Sequence, residues 1–544
     1  MRGATVALKI LKVTSEAYPL AKSGGLGDAV SGMADAMRQD GVDVSLLMPA
    51  HRGVLAKLHH AREICVLDNL PGGPARLVLG QHPDLNVPVY ALLNDALYDR
   101  ATLYVDENGQ EYSDNAIRFG ALAHAAALIA AGRTPVARPD VVHAHDWHAA
   151  LAPLLIHQAN IRDVRSVLTI HNLAFQGVFD MRHAQALRIQ AQYLTADGLE
   201  YWGKMNFMKA GALFADRITA VSRTYAREIL GAEFGCGLEG VLQARRDVLL
   251  ATPNGIDDTV WDPDHARIPT ERRYSASGLD NKARCKSDLQ TEFGLNVDAG
   301  KTLMVMCSRL TTQKMADLAV EALPRALAAH PDLQVAVMGQ GDKRLEQALV
   351  KAAEAFPGRF SARIGFDEAT AHMMHAGGDV LMHGSRFEPF GLTPIYAMRY
   401  GTLPIGSKTG GMADTITDLG DDAGLSAMRG STGFLFEGAT VDKMVEAIDR
   451  ALAVRSHPGV WRAMQHNAMS TDFSWRNSVA VYMRMYRSLV PAARFLRPAM
   501  AIVNESVPVR RASASKTRTP ISRKPLGSRA ARNGGGIVPD SAAA

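Results

Sequence analysis

The sequence predicts an α/β protein built from two doubly wound halves that face a common cleft. Three observations carry this expectation. Buried-type apolar strands alternate with helical patterns along most of the chain, the rhythm of parallel sheets covered by helices. That rhythm breaks once, in a polar stretch around residues 257–300 that contains Asp262-Pro263-Asp264, and then restarts. Two matching loops, Lys22-Ser-Gly-Gly-Leu-Gly-Asp28 and Lys408-Thr-Gly-Gly-Met-Ala-Asp414, follow a strand in each half and lead into a helix. In open α/β sheets the ligand crevice lies at the carboxyl ends of the strands, so two such halves place one cleft between them.

Each element follows from its local pattern. In the first half, Val6–Val13, Val42–Met48, Val87–Leu93, Asp140–His143, Ser166–Ile170 and Arg217–Ala220 read as strands. In the second half the strands are Leu303–Cys307, Gln334–Met338, Phe360–Ile364, Val380–Met382 and Leu403–Ile405. The expected organisation is a first Rossmann-like domain over residues 1–256, linker and surface loops over 257–300, and a second Rossmann-like domain over 301–470. A tail rich in Ser, Arg, Pro, Gly and Ala occupies 496–544; it lacks the apolar residues to form a core and is expected to be disordered.

Composition narrows the function class. The chain has 544 residues, too many for one core, with 47% hydrophobic and 21% charged residues, as in ordinary globular proteins. No apolar run reaches the ~20 residues of a membrane helix; the best, Ala121–Ala131, is short and holds His124. Lys9 and Lys12 interrupt the first apolar segment, which argues against a signal peptide, so a cytoplasmic enzyme is expected. The four cysteines are far apart, without metal-knuckle or redox spacing. From Met500 onward eight basic and two acidic residues give the tail +6 of the total +5, leaving −1 on residues 1–499. A near-neutral body argues against nucleic-acid binding by the folded part.

The candidate chemistry lies at strand ends. In each matched loop the paired glycines let backbone N–H groups approach an anion, which favours a nucleoside diphosphate or sugar phosphate. Val142-His-Ala-His-Asp-Trp-His148 closes a strand. It reads either as part of a metal site, which would need further ligands, or as a polar strand end where Asp146 and a histidine meet a hydroxyl-rich ligand. Thr169-Ile-His-Asn-Leu-Ala-Phe-Gln-Gly177 brings His171 and Asn172 to the same edge, with the donors and acceptors that sugar hydroxyls need. In Cys307-Ser-Arg-Leu-Thr-Thr-Gln-Lys314, Arg309 and Lys314 can hold a diphosphate and stabilise it as it leaves. In His383-Gly-Ser-Arg-Phe-Glu-Pro-Phe-Gly-Leu-Thr393, Glu388 sits in a rigid turn before a helix, either as an electrostatic cap or at the cleft edge.

These motifs, with Asn254-Gly-Ile-Asp257, occur in the order found in the glycogen and starch synthases, and the chain resembles that family over roughly residues 8–490. The resemblance implies the GT-B architecture, two Rossmann-like domains around a deep cleft, with a segment at 471–495, around Trp475, that returns to the first domain. It implies a retaining transferase that moves glucose from ADP-glucose to the non-reducing end of an α-1,4-glucan such as glycogen or maltodextrin, with no metal or other cofactor. It assigns Arg309 and Lys314 to the diphosphate, Glu388 to the transferred glucose, and Asp146, His171 and Asn254 to the glucosyl and acceptor side, where Asn172 also counts as a substrate-binding candidate from its strand end. Lys22, Gly24 and Gly25 are assigned to the diphosphate region, and Thr409, Gly410 and Gly411 to the distal phosphate. Met315 stands where the family commonly has glycine, Phe390 where cysteine is common and Pro394 where glutamine is common. Tyr396, eight residues after Glu388, is the residue glycogen synthases usually carry there, in place of the second glutamate of many other retaining transferases. A catalytically weak, glucan-binding relative is the alternative, with Met315 as its best support; a transferase with another nucleotide sugar or acceptor is a further one. Deleting the chain from about Ser506 is expected to leave thermal stability and transfer nearly intact while lowering the isoelectric point. A loss of activity on glycogen but not on short maltodextrins would instead show that the tail recruits the polymer.

Overall fold

The computed structural model describes residues 7–265, 268–420, 424 and 428–491. The tail from 496 onward lies outside them.

The first half is organised on a nine-stranded sheet. Its order is Leu249–Ala251, Arg217–Ala220, Arg165–Ile170, Val141–His145, Lys9–Val13, Asp43–Pro49, Leu85–Leu93, Ala75–His82, His59–Leu67. The first seven strands are parallel, and the last two pair antiparallel at one edge. The central strands are covered on both faces, so they read as unbroken apolar runs; every residue of Val141–His145 is buried. The edge pair escaped the sequence reading because His59–Leu67 is largely exposed and correspondingly polar. The helix Asn115–Ala130 accounts for the apolar stretch at 121–131: it is buried nearly all round beneath this sheet. Among the described residues no helix is long and apolar enough to cross a membrane.

The second half is a six-stranded, wholly parallel sheet. Its order is Phe360–Ile364, Leu333–Gly339, Thr302–Cys307, Val380–His383, Leu403–Ser407, Phe434–Phe436. The segment at 257–300, expected as linker and loops, carries the 13-residue helix Asp280–Glu292. It looked irregular because its buried positions include Lys282, Lys286 and Gln290. Their polar groups are satisfied: Lys282 Nζ donates to the carbonyls of Ala376 and Tyr400, both at 3.0 Å, and to Thr402 Oγ1 at 2.8 Å.

The closing helix Trp475–Leu489 packs on the first half. Trp475, Val479, Tyr482 and Tyr486 join a core cluster with Val30, Met33 and Met37 of the helix Gly25–Gln39. Contact is close enough that a Cβ at Gly255 would lie 2.7 Å from the Trp475 backbone. Below the cleft, Tyr486 Oη is 2.6 Å from His143 Nδ1, and His143 Nε2 is 2.6 Å from Thr169 Oγ1. All three residues are fully buried, so removing one partner strands the other in a dry site. Tyr486→Phe is therefore expected to lower unfolding stability by roughly 1–3 kcal/mol; a denaturant titration in which the midpoint does not move would show that the bond contributes nothing.

Candidate active site

The strand ends of the two halves face each other and touch. Ser222 Oγ donates to the Pro389 carbonyl at 2.7 Å, Thr224 Oγ1 to Asp414 Oδ1 at 2.7 Å, and Tyr18 Oη to Glu368 Oε1 at 3.0 Å. A Cβ at Gly25 would lie 3.1 Å from Leu392 Cδ1, so the Lys22 loop rests on the helix Leu392–Arg399 that follows Glu388.

On the second half, Glu388 and Lys314 form a buried ion pair, with side chains about one-tenth exposed. His383 Nε2 lies 3.4 Å from both Glu388 Oε2 and Lys314 Nζ. Burial alone would raise the Glu388 pKa; the Lys314 ammonium and the His383 bond outweigh it and hold the carboxyl well below its usual range. Burial, reinforced by Lys314, lowers the His383 pKa, so the ring is neutral near pH 7. The turns that carry the pair are tied together. The Arg386 N–H donates to the Gln313 carbonyl at 2.9 Å, and the single Ser385 hydroxyl proton is shared between the carbonyls of Phe387 at 2.9 Å and Gln313 at 3.2 Å. Arg386 grips Asp317 with two bonds of 2.8 and 2.9 Å. Arg309 is exposed and donates to Gln313 Oε1 at 3.2 Å.

Met315 has φ +53°, in the left-handed region where glycine is favoured. Its side chain is 2% exposed and packs under the strand ends, against Gly384 and within 3.7 Å of Ser407 Oγ. It turns into the core, not into the cleft. Tyr396 is likewise a packing residue, stacked on Trp261 with centroids 3.7 Å apart.

On the first half, Asp146 is buried at φ +54°, and its Oδ1 accepts the backbone N–H of His171 at 2.7 Å and of Asn172 at 3.1 Å. His171 Nε2 is 3.0 Å from His145 Nδ1. Burial, with Lys12 nearby, drives the His171 pKa down to about 3, so this ring is neutral. His143, His145 and His148 point to different partners: His143 to Tyr486 and Thr169, His145 to His171, and His148 to the Trp147 and Tyr104 rings. Among the described residues no group of three or more His, Cys, Asp or Glu side chains is arranged to hold a metal ion. Asn254, 8% exposed, leaves its Oδ1 without a partner among the described residues.

In the paired-glycine loops the donors have partners within the chain. The amides of Ser23 and Gly24 donate at 2.7 and 3.2 Å to the buried carboxylate of Glu16, on their own half. Lys22 pairs with Asp28 at 2.9 Å. In the second loop Thr409 Oγ1 and the Gly410 N–H donate to Glu228 Oε1 at 3.1 and 3.0 Å, and the Gly411 N–H donates to the Glu388 carbonyl at 3.1 Å. These donors meet carboxylates and a carbonyl of the chain itself. The glycines are needed for close packing: a Cβ at Gly410 would lie 1.8 Å from the Glu388 carbonyl oxygen. Glu16, Glu228, Ser222 and His383 are the residues sequence reasoning missed as partners; Glu228 and Ser222 act across more than 160 residues, whereas Glu16 and His383 act on nearby turns whose geometry no local pattern announces.

A GT-B fold with a buried Lys314–Glu388 pair beside a neutral His383, at a strand end where the two halves meet, has the architecture of a glycosyltransferase. The family model described as "Starch synthase catalytic domain" matches residues 9–244, and "Glycosyl transferases group 1" matches 289–465. The chain is 53% identical to a glycogen synthase of Bordetella petrii, covering 89% of this chain and 93% of that one. It is 49% identical to one of Ralstonia nicotianae, covering 90% and 89%. The catalytic domain of starch synthase IV from Arabidopsis thaliana, solved with ADP and acarbose, superposes with a TM-score of 0.80 at 26% identity, covering 89% of this chain and 99% of that one. The chain belongs to the glycogen synthase family, and its activity is glucosyl transfer in glycogen synthesis.

Burial raises the Asp146 pKa to about 7, against the two backbone bonds that lower it. The unfolded carboxyl titrates near ~4. The folded chain therefore binds the extra proton between these values, and the Asp146 contribution to stability falls as pH rises from about 4 to 7. Asp146→Asn keeps the Oδ1 acceptor and tolerates the left-handed backbone. The variant is expected to gain roughly 2–3 kcal/mol on the wild type between pH 5 and 7.5, at ~1.4 kcal/mol per pKa unit. Parallel profiles in urea unfolding would show that Asp146 stays ionised.

Proposed function

We propose that the chain transfers glucose from ADP-glucose to the non-reducing end of an α-1,4-glucan with retention of anomeric configuration, in the cytoplasm. The observation that carries this reading is the buried Glu388–Lys314–His383 cluster at a strand end in the cleft. Lys314 and Arg309 supply positive charge for the diphosphate. The first N–H groups of the helix Leu392–Arg399 have no intrahelical partner and add donors beside them. Glu388 Cγ lies 3.3 Å from the position a Gly391 Cβ would take, which sets the carboxylate at this helix start. The cations do here what a metal ion does in other transferases.

In the step itself the acceptor 4-hydroxyl oxygen bonds to glucose C1 as the C1–O bond to phosphate breaks. The bonding pair leaves with ADP, and the departing phosphate oxygen takes the hydroxyl proton. Lys314 and Arg309 stabilise charge that grows only as that bond breaks. Glu388 accepts sugar hydroxyls and offsets positive charge on the ring. Neutral His171 and Asn172, fixed through Asp146, offer donors and acceptors to glucosyl and acceptor hydroxyls. Asn254, with its free Oδ1, serves the same side, and Lys22 the donor side of the cleft. The core position of Met315 supports an active enzyme over a weakened relative.

Incubating the purified protein with ADP-glucose or UDP-glucose plus glycogen and following nucleotide diphosphate release tests donor and activity together. Release from ADP-glucose is expected, and none from either sugar would defeat the reading. Glu388→Gln, Arg309→Ala and Lys314→Ala are expected to lower kcat by ~10²–10³-fold. A stable Glu388→Gln protein with wild-type turnover would reduce Glu388 to a helix cap.

A further inference from the structure

The short helix Arg223–Glu228 belongs to the first half, yet it meets the second half around Glu388. Ser222, which caps it, is fully buried. Its hydroxyl accepts the Tyr225 N–H at 3.1 Å and gives its single proton to the Pro389 carbonyl at 2.7 Å, one residue after Glu388. One turn on, Glu228 Oε1 accepts from Thr409 Oγ1 and the Gly410 N–H. The next residue, Gly411, donates to the Glu388 carbonyl. The helix also faces the acceptor side, where Tyr225 Oη accepts the Leu173 N–H at 2.8 Å, two residues after His171. One rigid element thus contacts the His171 strand end and brackets the Glu388 turn from two sides.

We propose that Ser222 and Glu228 are positioning residues for the transfer: across the closed cleft they fix the Glu388 turn against the His171 strand end. This rests on the role given to Glu388 above. Neither residue adds a positive charge toward the diphosphate, the role given above to Arg309 and Lys314. What they supply is alignment between the two halves, and misplacement by about 1 Å can cost ~10²-fold in rate. Thr224 adds two more bonds from the same helix, both to Asp414.

Conservative variants separate alignment from stability. Ser222→Thr keeps both the cap and the donated proton, and Glu228→Gln keeps an oxygen acceptor; the alanine variants of both lose these bonds. Ser222→Ala and Glu228→Ala are expected to lower kcat ~10- to 100-fold with the KM for ADP-glucose changed less than about 3-fold, as for loss of an effect felt in the transition state. Ser222→Thr and Glu228→Gln are expected to restore most of the turnover. Glu228→Ala guards against misfolding of the Ser222 variant, since it removes an interdomain contact and no helix cap. With Glu388→Gln slow as the reference, wild-type kcat in both alanine variants overturns the proposal, as do conservative variants that are as slow as the alanines. A Glu388→Gln enzyme with wild-type turnover instead overturns the assignment on which the proposal stands.

Discussion

The buried ion pair between Lys314 and Glu388 is the constraint on which the cleft depends. Two charges removed from water are tolerated only when each satisfies the other and further polar groups complete the shell. His383 supplies one such group. The pair also needs its two turns held in register, because a shift of either leaves an uncompensated charge in a dry site. The Arg386–Asp317 bridge, the Ser385 hydroxyl and the Gln313 carbonyl provide that register. Met315 keeps a left-handed backbone immediately after Lys314, and its thioether fills the space under the strand ends that Gly384 leaves open.

The glycines follow from the same constraint. Gly410 and Gly411 allow the loop after Leu403–Ser407 to lie on the backbone of residues 388–390, where side chains would collide. The Glu228 carboxylate then takes the Gly410 amide, and in the other half Glu16 takes those of Ser23 and Gly24. A buried or half-buried N–H group needs a partner, and an ionised oxygen is a strong one. On the facing half Asp146 takes the backbone N–H groups of His171 and Asn172 and so fixes the turn after Arg165–Ile170 without using their side chains.

Much of this was legible in the sequence. Buried parallel strands announce themselves as apolar runs, and the motifs mark the carboxyl ends after which Asp146 and His171 stand in the first half and Arg309, Lys314 and Glu388 in the second, the ends where open α/β sheets bind ligands. The paired-glycine loops are legible as anion-facing turns, but that their donors meet Glu16 and Glu228 of the chain itself is not. Glu228 lies more than 180 residues from its partner loop, and no local pattern distinguishes it from a solvent-facing helix residue. The helix Asp280–Glu292 was missed for a related reason. Buried Lys282 and Lys286 imitate a surface segment unless the carbonyls that receive them are known.

The central claim is that Glu388 restrains Lys314 and acts on the sugar, while Lys314 acts on the diphosphate. Equilibrium binding of ADP to the Lys314→Met and Glu388→Gln proteins, by titration calorimetry, tests it most directly. The account predicts that Lys314→Met weakens ADP binding at least ~10-fold, the effect of losing a charge-assisted contact of ~1.4 kcal/mol or more. Glu388→Gln should bind ADP as tightly as the wild type or more tightly, because its loss releases the ammonium. Equal weakening in both variants would contradict the division of roles.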